Sequence, residues 1–156
     1  MKTFFKSLTI AAGAATIFAG MATADGHLEG AVKARKALMQ LYAFNLGQLG
    51  AMAKGEAEFD AKVAAAAANN LLAAATMDQS AMWPQGSDST AMAGKTNAKA
   101  EIWTTYPAVV EKGKALSDAA TKLAGMVGDL DSLRAGIGAA GASCGGCHKE
   151  FREKVN

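Results

Sequence analysis

The amino-acid sequence predicts an all-α fold, an antiparallel up-down-up-down four-helix bundle. Four segments repeat apolar residues at steps of three and four, and each is bounded by Gly, Asp or Pro. No segment shows the alternation of apolar and polar residues between hairpin turns that is typical of strands. The breaks at 55–58 and 128–129 are short, which favours antiparallel neighbours in a bundle.

The first two segments each carry an apolar stripe, which we expect to face the bundle core. The first helix is predicted from about Leu28 to Lys54, and its stripe consists of Leu38, Tyr42, Leu46, Leu49 and Met52. The second is predicted from Phe59 to Met77, and its stripe consists of Phe59, Val63, Ala66, Ala73 and Met77, interrupted by Asn70.

The third segment has the most regular pattern, and a long connection at 78–95 precedes it. Its stripe consists of Ile102, Tyr106, Val109, Gly113, Leu116, Ala120, Leu123 and Val127. Pro107 inside this stripe predicts either a kink or the true start of the helix. Connections as long as 78–95 are usually functional or disordered, and Trp83 predicts that this one packs on the bundle.

The fourth segment begins at about Leu130 and contains the chemistry-bearing residues. Its predicted inner face consists of Leu133, Ile137, Ala140, Cys144, His148 and Phe151. The chain has only two cysteines and two histidines, so this face concentrates both thiols and one imidazole near the C-terminus.

The first 24 residues have the layout of a secretory signal peptide. Lys2 and Lys6 precede an uncharged apolar run that ends in the small residues 22–24, Ala-Thr-Ala. We therefore predict cleavage after Ala24 and a single exported domain at 25–156, in a periplasm. The alternative is an uncleaved anchor, since Ser7 to Ala24 approaches the length that spans a bilayer. After cleavage no membrane span is expected.

The predicted mature chain is close to electrically neutral. The sequence has 16 Lys and Arg against 14 Asp and Glu, and loss of Lys2 and Lys6 leaves 14 of each sign. This balance gives no indication of nucleic-acid binding.

The motif Cys144-Gly-Gly-Cys147-His148 is C-x-x-C-H, the attachment signal of c-type haem. On a helix the two thiols lie three residues apart and the imidazole four residues after the first thiol, so all three share one face. Two thiols can then bond to the two vinyl groups of a porphyrin while the imidazole binds the iron. Because this face is the predicted inner face, the haem is expected in the bundle core.

Three other interpretations compete with haem attachment. A thioredoxin-like dithiol requires a βαβ pattern, which the sequence lacks. A zinc site requires four ligands, and His27 is the only further strong candidate. A disulfide between Cys144 and Cys147 in an oxidising compartment is chemically feasible but would stabilise a helix little.

The sequence resembles the class II c-type cytochromes, that is, cytochrome c′ and its low-spin, methionine-ligated relatives. The resemblance rests on "CGGCHKEFR", "RKALM", "LGAMAKGEAEFD" and "MWPQGSDSTAMAGKTNAKAEIW", and it extends over essentially the whole mature chain. It implies one covalent haem c, His148 as the proximal iron ligand, a periplasmic location and frequently a homodimer. Leu41 and Phe44 are outward apolar candidates for a dimer face.

Met39 is the candidate for the sixth ligand of the iron. It lies about 16 Å along the first helix from Leu28, and His148 lies about 12 Å before Asn156, so the two are expected at nearly the same level. A thioether on the iron raises the reduction potential and suits electron transfer. The alternative is that Met39 fills the core and leaves a dry, apolar distal pocket that is open to NO or CO.

Three further residues are candidates for contacts with the haem. Arg152 lies four residues after His148, and the resemblance implies that its guanidinium covers the proximal imidazole. Arg35 lies four residues before Met39 and can pair with a haem propionate. Trp103, early in the third helix, is expected to wall the haem.

The sequence therefore predicts a non-enzymatic c-type cytochrome that carries single electrons to an unidentified redox partner, with His148 and Met39 as axial ligands. It contains no Ser/His/Asp arrangement for nucleophilic catalysis. The alternative is that the haem iron is five-coordinate and binds NO or CO, so that the protein serves in gas binding or NO detoxification.

Overall fold

The fold is described by a computed structural model, which covers residues 19–154, with side chains from Gly26 onward. Residues 1–18, and with them most of the predicted signal peptide, lie outside the described residues. In the described part no helix combines the length and the apolar character that crossing a membrane requires.

The structure confirms the prediction of an all-α four-helix bundle. Helix α1 packs on α2 and α5, and α4 packs on the same two helices, so that the four long helices form a closed ring. In residues 19–154 the only pairing of extended chain is one isolated bridge between Ala98 and Arg152. The elements in order are α1 (Ala19–Lys54), α2 (Ala61–Thr76), a 3₁₀ turn (Ser80–Met82), α3 (Glu101–Thr104), α4 (Tyr106–Ala124) and α5 (Leu130–Phe151).

Local sequence signals explain the helix ends. The Asp60 side chain accepts hydrogen bonds from the amides of Lys62 and Val63 and so caps α2. Asp129 caps α5 in the same way, through the amide of Ser132. Gly55, with φ of +78°, directly follows the last residue of α1, in the left-handed conformation that glycine adopts without strain.

Two predicted helices differ clearly from the structure in their boundaries, and α2 (Ala61–Thr76) is shorter than predicted by two residues at its start and one at its end. Helix α1 begins at Ala19 rather than Leu28, so the helix also includes the residues that directly precede Leu28. The predicted third helix is divided at Thr105 into the short α3 and the long α4. Pro107 lies in the first turn of α4, where its missing N–H costs no helical hydrogen bond, so its interpretation as the true helix start is confirmed.

The predicted inner faces of α1 and α5 are largely confirmed. On α1 the residues Leu38, Tyr42, Leu49 and Met52 are buried and Leu46 packs against them. On α5 the buried residues are Leu133, Ala140 and Phe151, with Ile137 packed against the core. The stripe of the predicted third helix is buried at Ile102 and at Ala120, Leu123 and Val127, but Tyr106 and Gly113 are exposed.

The predicted inner face of α2 is wrong. Val63 and Met77 are 44% and 45% exposed, whereas the buried face consists of Ala64, Ala67, Ala68 and Leu71. The run of alanines at 64–68 is apolar at every position, so its pattern does not select a face. The burial of Leu71 shows which face packs, since a leucine gains more from burial than an alanine does.

Candidate haem-binding site

The C-x-x-C-H motif occupies the last two turns of α5, with all three functional side chains on one partly buried face. Cys144, Cys147 and His148 are each partly buried, whereas the intervening Gly145 and Gly146 are exposed. A methyl group added to either glycine would meet no atom within 4 Å. The motif therefore has open space beside its glycines, into which a large planar group can extend.

Burial controls the protonation of the motif. It raises the pKa of the Cys144 and Cys147 thiols, so that both stay protonated at neutral pH. Burial, followed by the positive charge of Arg152, lowers the pKa of His148. The imidazole is consequently neutral at neutral pH, which is the form that binds a metal.

The structure gives no support to the interpretations that compete with haem attachment. Both cysteines are free, so the motif forms no disulfide. Within residues 26–154 no group of three or more His, Cys, Asp and Glu side chains is arranged to hold a metal ion. His27, the further zinc-ligand candidate, is exposed on α1 rather than on the helix that carries the motif. The helical bundle is not the βαβ context of a thioredoxin-like dithiol.

The register of α1 against α5 places Met39 opposite His148. The Arg134 Nε donates to the Ala53 carbonyl at 2.9 Å, and a methyl group at Gly50 would lie 4.0 Å from Ile137 Cδ1. Met39 precedes Gly50 by 11 residues and His148 follows Ile137 by 11 residues, which is the same direction in space because the helices are antiparallel. The two candidate axial residues therefore share one level of the bundle.

Tyr42 is buried on the inner face of α1 near the motif and was missed as a site residue by the sequence analysis. Burial is the main cause of its raised pKa, and the hydrogen bond from Gln79 acts in the opposite direction. Its hydroxyl donates to the Ala74 carbonyl at 2.9 Å and accepts from Gln79 Nε2 at 2.9 Å. The signal for Tyr42 was its position on the apolar stripe of α1, about one turn after Met39.

Arg35 is buried, and its guanidinium binds the connection between α2 and α3. It donates to Ser87 Oγ at 2.7 Å and to Thr96 Oγ1 at 2.8 Å, and it also donates to the Ser87 carbonyl. Its Cζ lies 4.9 Å from the ring centroid of Trp83. Both terminal nitrogens are thus engaged by this connection, and the predicted pairing with a propionate stays a prediction.

Trp103 lies at the same end of the bundle, where it contacts Trp83 and lies near Arg35. Its Nε1 donates to the Trp83 carbonyl at 2.9 Å, and the two indole rings are 6.3 Å apart. The prediction that residues 78–95 pack on the bundle is thereby confirmed. Trp103 as a wall of the haem remains a prediction.

Arg152 and Lys112 supply the charges around the motif. Arg152 follows the last residue of α5, where its amide donates to the His148 carbonyl at 3.1 Å. Lys112 on α4 pairs with Glu150 at 3.1 Å, and its charge acts on Cys147. The sequence analysis did not assign Lys112 to the site, because only the packing of α4 on α5 brings it there.

The residues present fit a covalently bound haem. Two protonated thiols and a neutral imidazole share one face of α5, beside open space at two glycines and across from α1. These features define a c-type haem protein built on an antiparallel four-helix bundle.

Comparisons with known proteins support this class. The family model described as Cytochrome C' matches residues 30–152. A cytochrome c-554 from Cereibacter sphaeroides is 38% identical over 128 residues, which cover 81% of this chain and 83% of that protein. The chain belongs to the cytochrome c′ family, whose bundle is a standard example of up-down-up-down topology. Its cofactor is covalently bound haem c.

Solved structures agree in both fold and sequence. A cytochrome c' from Rhodobacter sphaeroides superposes with a TM-score of 0.79 at 36% identity and covers 82% of this chain and 98% of its own. A nitric oxide complex of a mutant cytochrome c prime from Alcaligenes xylosoxidans has a TM-score of 0.72 at 33% identity, with 82% and 97% covered.

Proposed function

We propose that this protein binds one haem c through Cys144 and Cys147, with His148 as the proximal iron ligand, and takes up NO or CO on the opposite face. The haem supplies an iron centre that binds small gases. The chain attaches the haem covalently, presents a neutral imidazole from α5, and lines the opposite side with the apolar face of α1.

The position of Met39 is the observation that carries this proposal. Met39 lies at the level of His148, is partly buried, and packs against the hydrophobic core. A thioether engaged in core packing makes the distal side apolar and dry, which suits an uncharged diatomic ligand. The relatives in this family that were solved with NO or CO bound support the same function.

The same residue favours a second candidate function, a single-electron carrier. Met39 has a sulfur that can bind iron, and an imidazole–thioether pair raises the reduction potential. In this case Met39 would hold the iron from α1 instead of packing in the core, and no site for a gas would remain. The protein would then pass electrons to a redox partner and bind gas poorly.

The replacement Met39→Leu separates the two functions while approximately conserving side-chain volume. For gas binding we expect the ferric wild-type protein to have a high-spin absorption spectrum, the ferrous form to bind CO readily, and Met39→Leu to change neither. For electron transfer the wild-type spectrum would contain a far-red sulfur-to-iron charge-transfer band that Met39→Leu abolishes. Met126→Leu, at the other end of the bundle, is the control. A far-red band in the wild type would overturn the gas-binding proposal.

We further propose that the protein forms a homodimer through α1 and α2. Leu41 and Phe44 on α1 are 54% and 65% exposed, and Val63 and Met77 on the neighbouring α2 are also exposed. One structural neighbour is described as a cytochrome c' with ligand-controlled dimer dissociation. These exposed side chains are those that a second copy would cover.

Phe44→Asp is expected to convert the dimer into a monomer without unfolding it, because the side chain is already exposed in the single chain. Analytical ultracentrifugation measures the change. Val110→Asp, at an exposed apolar position of α4, is the matched control and should leave the dimer intact. A monomeric wild-type protein, or a Phe44→Asp variant that stays dimeric, would contradict the proposed interface.

We also propose that the chain is exported to the periplasm and cleaved after Ala24. The layout of residues 1–24 supports this location, and so does the covalent attachment of haem c. The proposed protein has no catalytic side chain and no nucleic-acid partner.

A further inference from the structure

Three of the four buried polar side chains in the described part of the chain belong to one cluster. These are Arg35, Ser87 and Thr96, and the fourth is Asn45. Burying a polar group costs free energy unless its hydrogen bonds are made. Arg35 donates to both hydroxyls of this cluster, and Ser87 Oγ in turn donates to the Pro84 carbonyl at 2.7 Å. The cluster therefore fastens the connection after α2 firmly to α1.

The segment 96–99, which we call the strap, continues from this cluster to the end of α5. Thr96 Oγ1 accepts from Arg35 at 2.8 Å. The Asn97 carbonyl accepts from the amide of Glu153 at 2.8 Å, and the amide of Lys99 donates to the Phe151 carbonyl at 3.0 Å. Ala98, between them, pairs with Arg152. Four consecutive residues thus join α1 to the chain that leaves α5.

The strap crosses the helix pair one turn beyond the candidate axial residues. Arg35 precedes Met39 by one turn of α1, and Arg152 follows His148 by the same number of residues. In the register established above, Arg35 and Arg152 therefore share a level, as Met39 and His148 do. The strap connects the two helices next to the point where their separation determines the space on the distal side.

We infer that Arg35 is a positioning residue: by holding the strap across α1 and the end of α5, it fixes the separation of these helices at Met39 and His148. Its part in gas binding rests on the proposed function, whereas its effect on the helix pair does not. The inference requires the hydrogen bond from Arg35 to Thr96, not the positive charge alone.

Two variants of the holoprotein test this inference by hydrogen exchange. Arg35→Gln removes the guanidinium, and Thr96→Val removes only the hydroxyl, which accepts from Arg35 at 2.8 Å and from the amide of Ala98 at 3.2 Å. Loss of one hydrogen bond to a charged group shifts a local opening equilibrium by about tenfold or more. We expect faster amide exchange by this factor in residues 96–99, in 35–42 and in 144–151 for both variants.

CO binding by the ferrous holoprotein supplies the functional measurement. We expect the CO association rate to rise by about tenfold in both variants, because a helix pair that opens about tenfold more often admits CO to the distal side more often. Arg134→Gln is the matched control, because Arg134 also joins α5 to α1, through the Ala53 carbonyl, at the opposite end of the pair. It should leave the CO rate and the exchange of 35–42 unchanged.

The outcomes distinguish the possible roles of Arg35. A changed CO rate in Arg35→Gln but not in Thr96→Val would mean that Arg35 acts through its charge, and would overturn the inference. Faster exchange with an unchanged CO rate would overturn it as well, although the proposed function would stand. If the wild type binds no CO, the proposed function fails. The inference about the helix pair is then tested by exchange alone. Faster exchange at 35–42 and 144–151 in Thr96→Val would support it, and unchanged exchange would overturn it.

Discussion

The double variant Cys144→Ser and Cys147→Ser is expected to contain no covalently bound haem. The sequence has only two cysteines, so these thiols are the only side chains that can form thioether links to the vinyl groups. Mass spectrometry of the denatured variant should return the mass of the bare processed polypeptide. The denatured wild type should return that mass increased by one haem.

Single variants and a neighbouring control sharpen this prediction. Cys144→Ser and Cys147→Ser alone should each retain a haem through one remaining link, with a shifted absorption band from the unsaturated vinyl group. Ser143→Ala, which removes only a hydrogen bond from Ser143 Oγ to the Ala140 carbonyl, should carry haem like the wild type. A covalent haem in the double variant would show that attachment does not use this motif.

The motif and the helix faces of α1 and α5 were predictable because their signals are local. The spacing of Cys144, Cys147 and His148 fixes their common face on any helix, whatever surrounds it. The stripe of α1 repeats large apolar residues at helical spacing, so it predicts the inner face even though Leu41 and Phe44 lie outside it. In both cases neighbouring residues of one segment contain the whole signal.

The inner face of α2 was not predictable from its pattern. An alanine run is apolar in every direction, so the stripe through Val63 and Met77 looked as suitable as the one through Leu71. The choice is made by the neighbouring helices, which pack on Leu71 and the small alanines around it. The stripe through Val63 and Met77 is left exposed, which is the reason for assigning it to a dimer face.

The partners of Arg35 were also beyond the reach of the sequence. The pattern placed Arg35 one turn from Met39 and suggested a propionate as its partner. Its observed partners, Ser87 and Thr96, lie in a connection without helical periodicity. Only the folded chain shows that this connection returns to α1 before it reaches the end of α5.

His148→Gly is expected to cause the largest loss of ligand binding, because it removes the proposed proximal ligand while Cys144 and Cys147 still hold the haem. Changing a group behind a metal ligand typically costs about 10–100-fold in affinity or activity, and loss of the ligand itself should cost more. CO titration of the ferrous variant measures this loss. The absorption spectrum should change at the same time.

Added imidazole distinguishes a lost ligand from a damaged fold. The glycine leaves a space of the size of the missing ring, so free imidazole should restore the spectrum and much of the CO affinity. His27→Gly, at an exposed residue of α1, is the control and should behave like the wild type with or without imidazole. An unchanged spectrum in His148→Gly would mean that another side chain binds the iron. The neutral imidazole that burial provides at this position would then have no part in holding the metal.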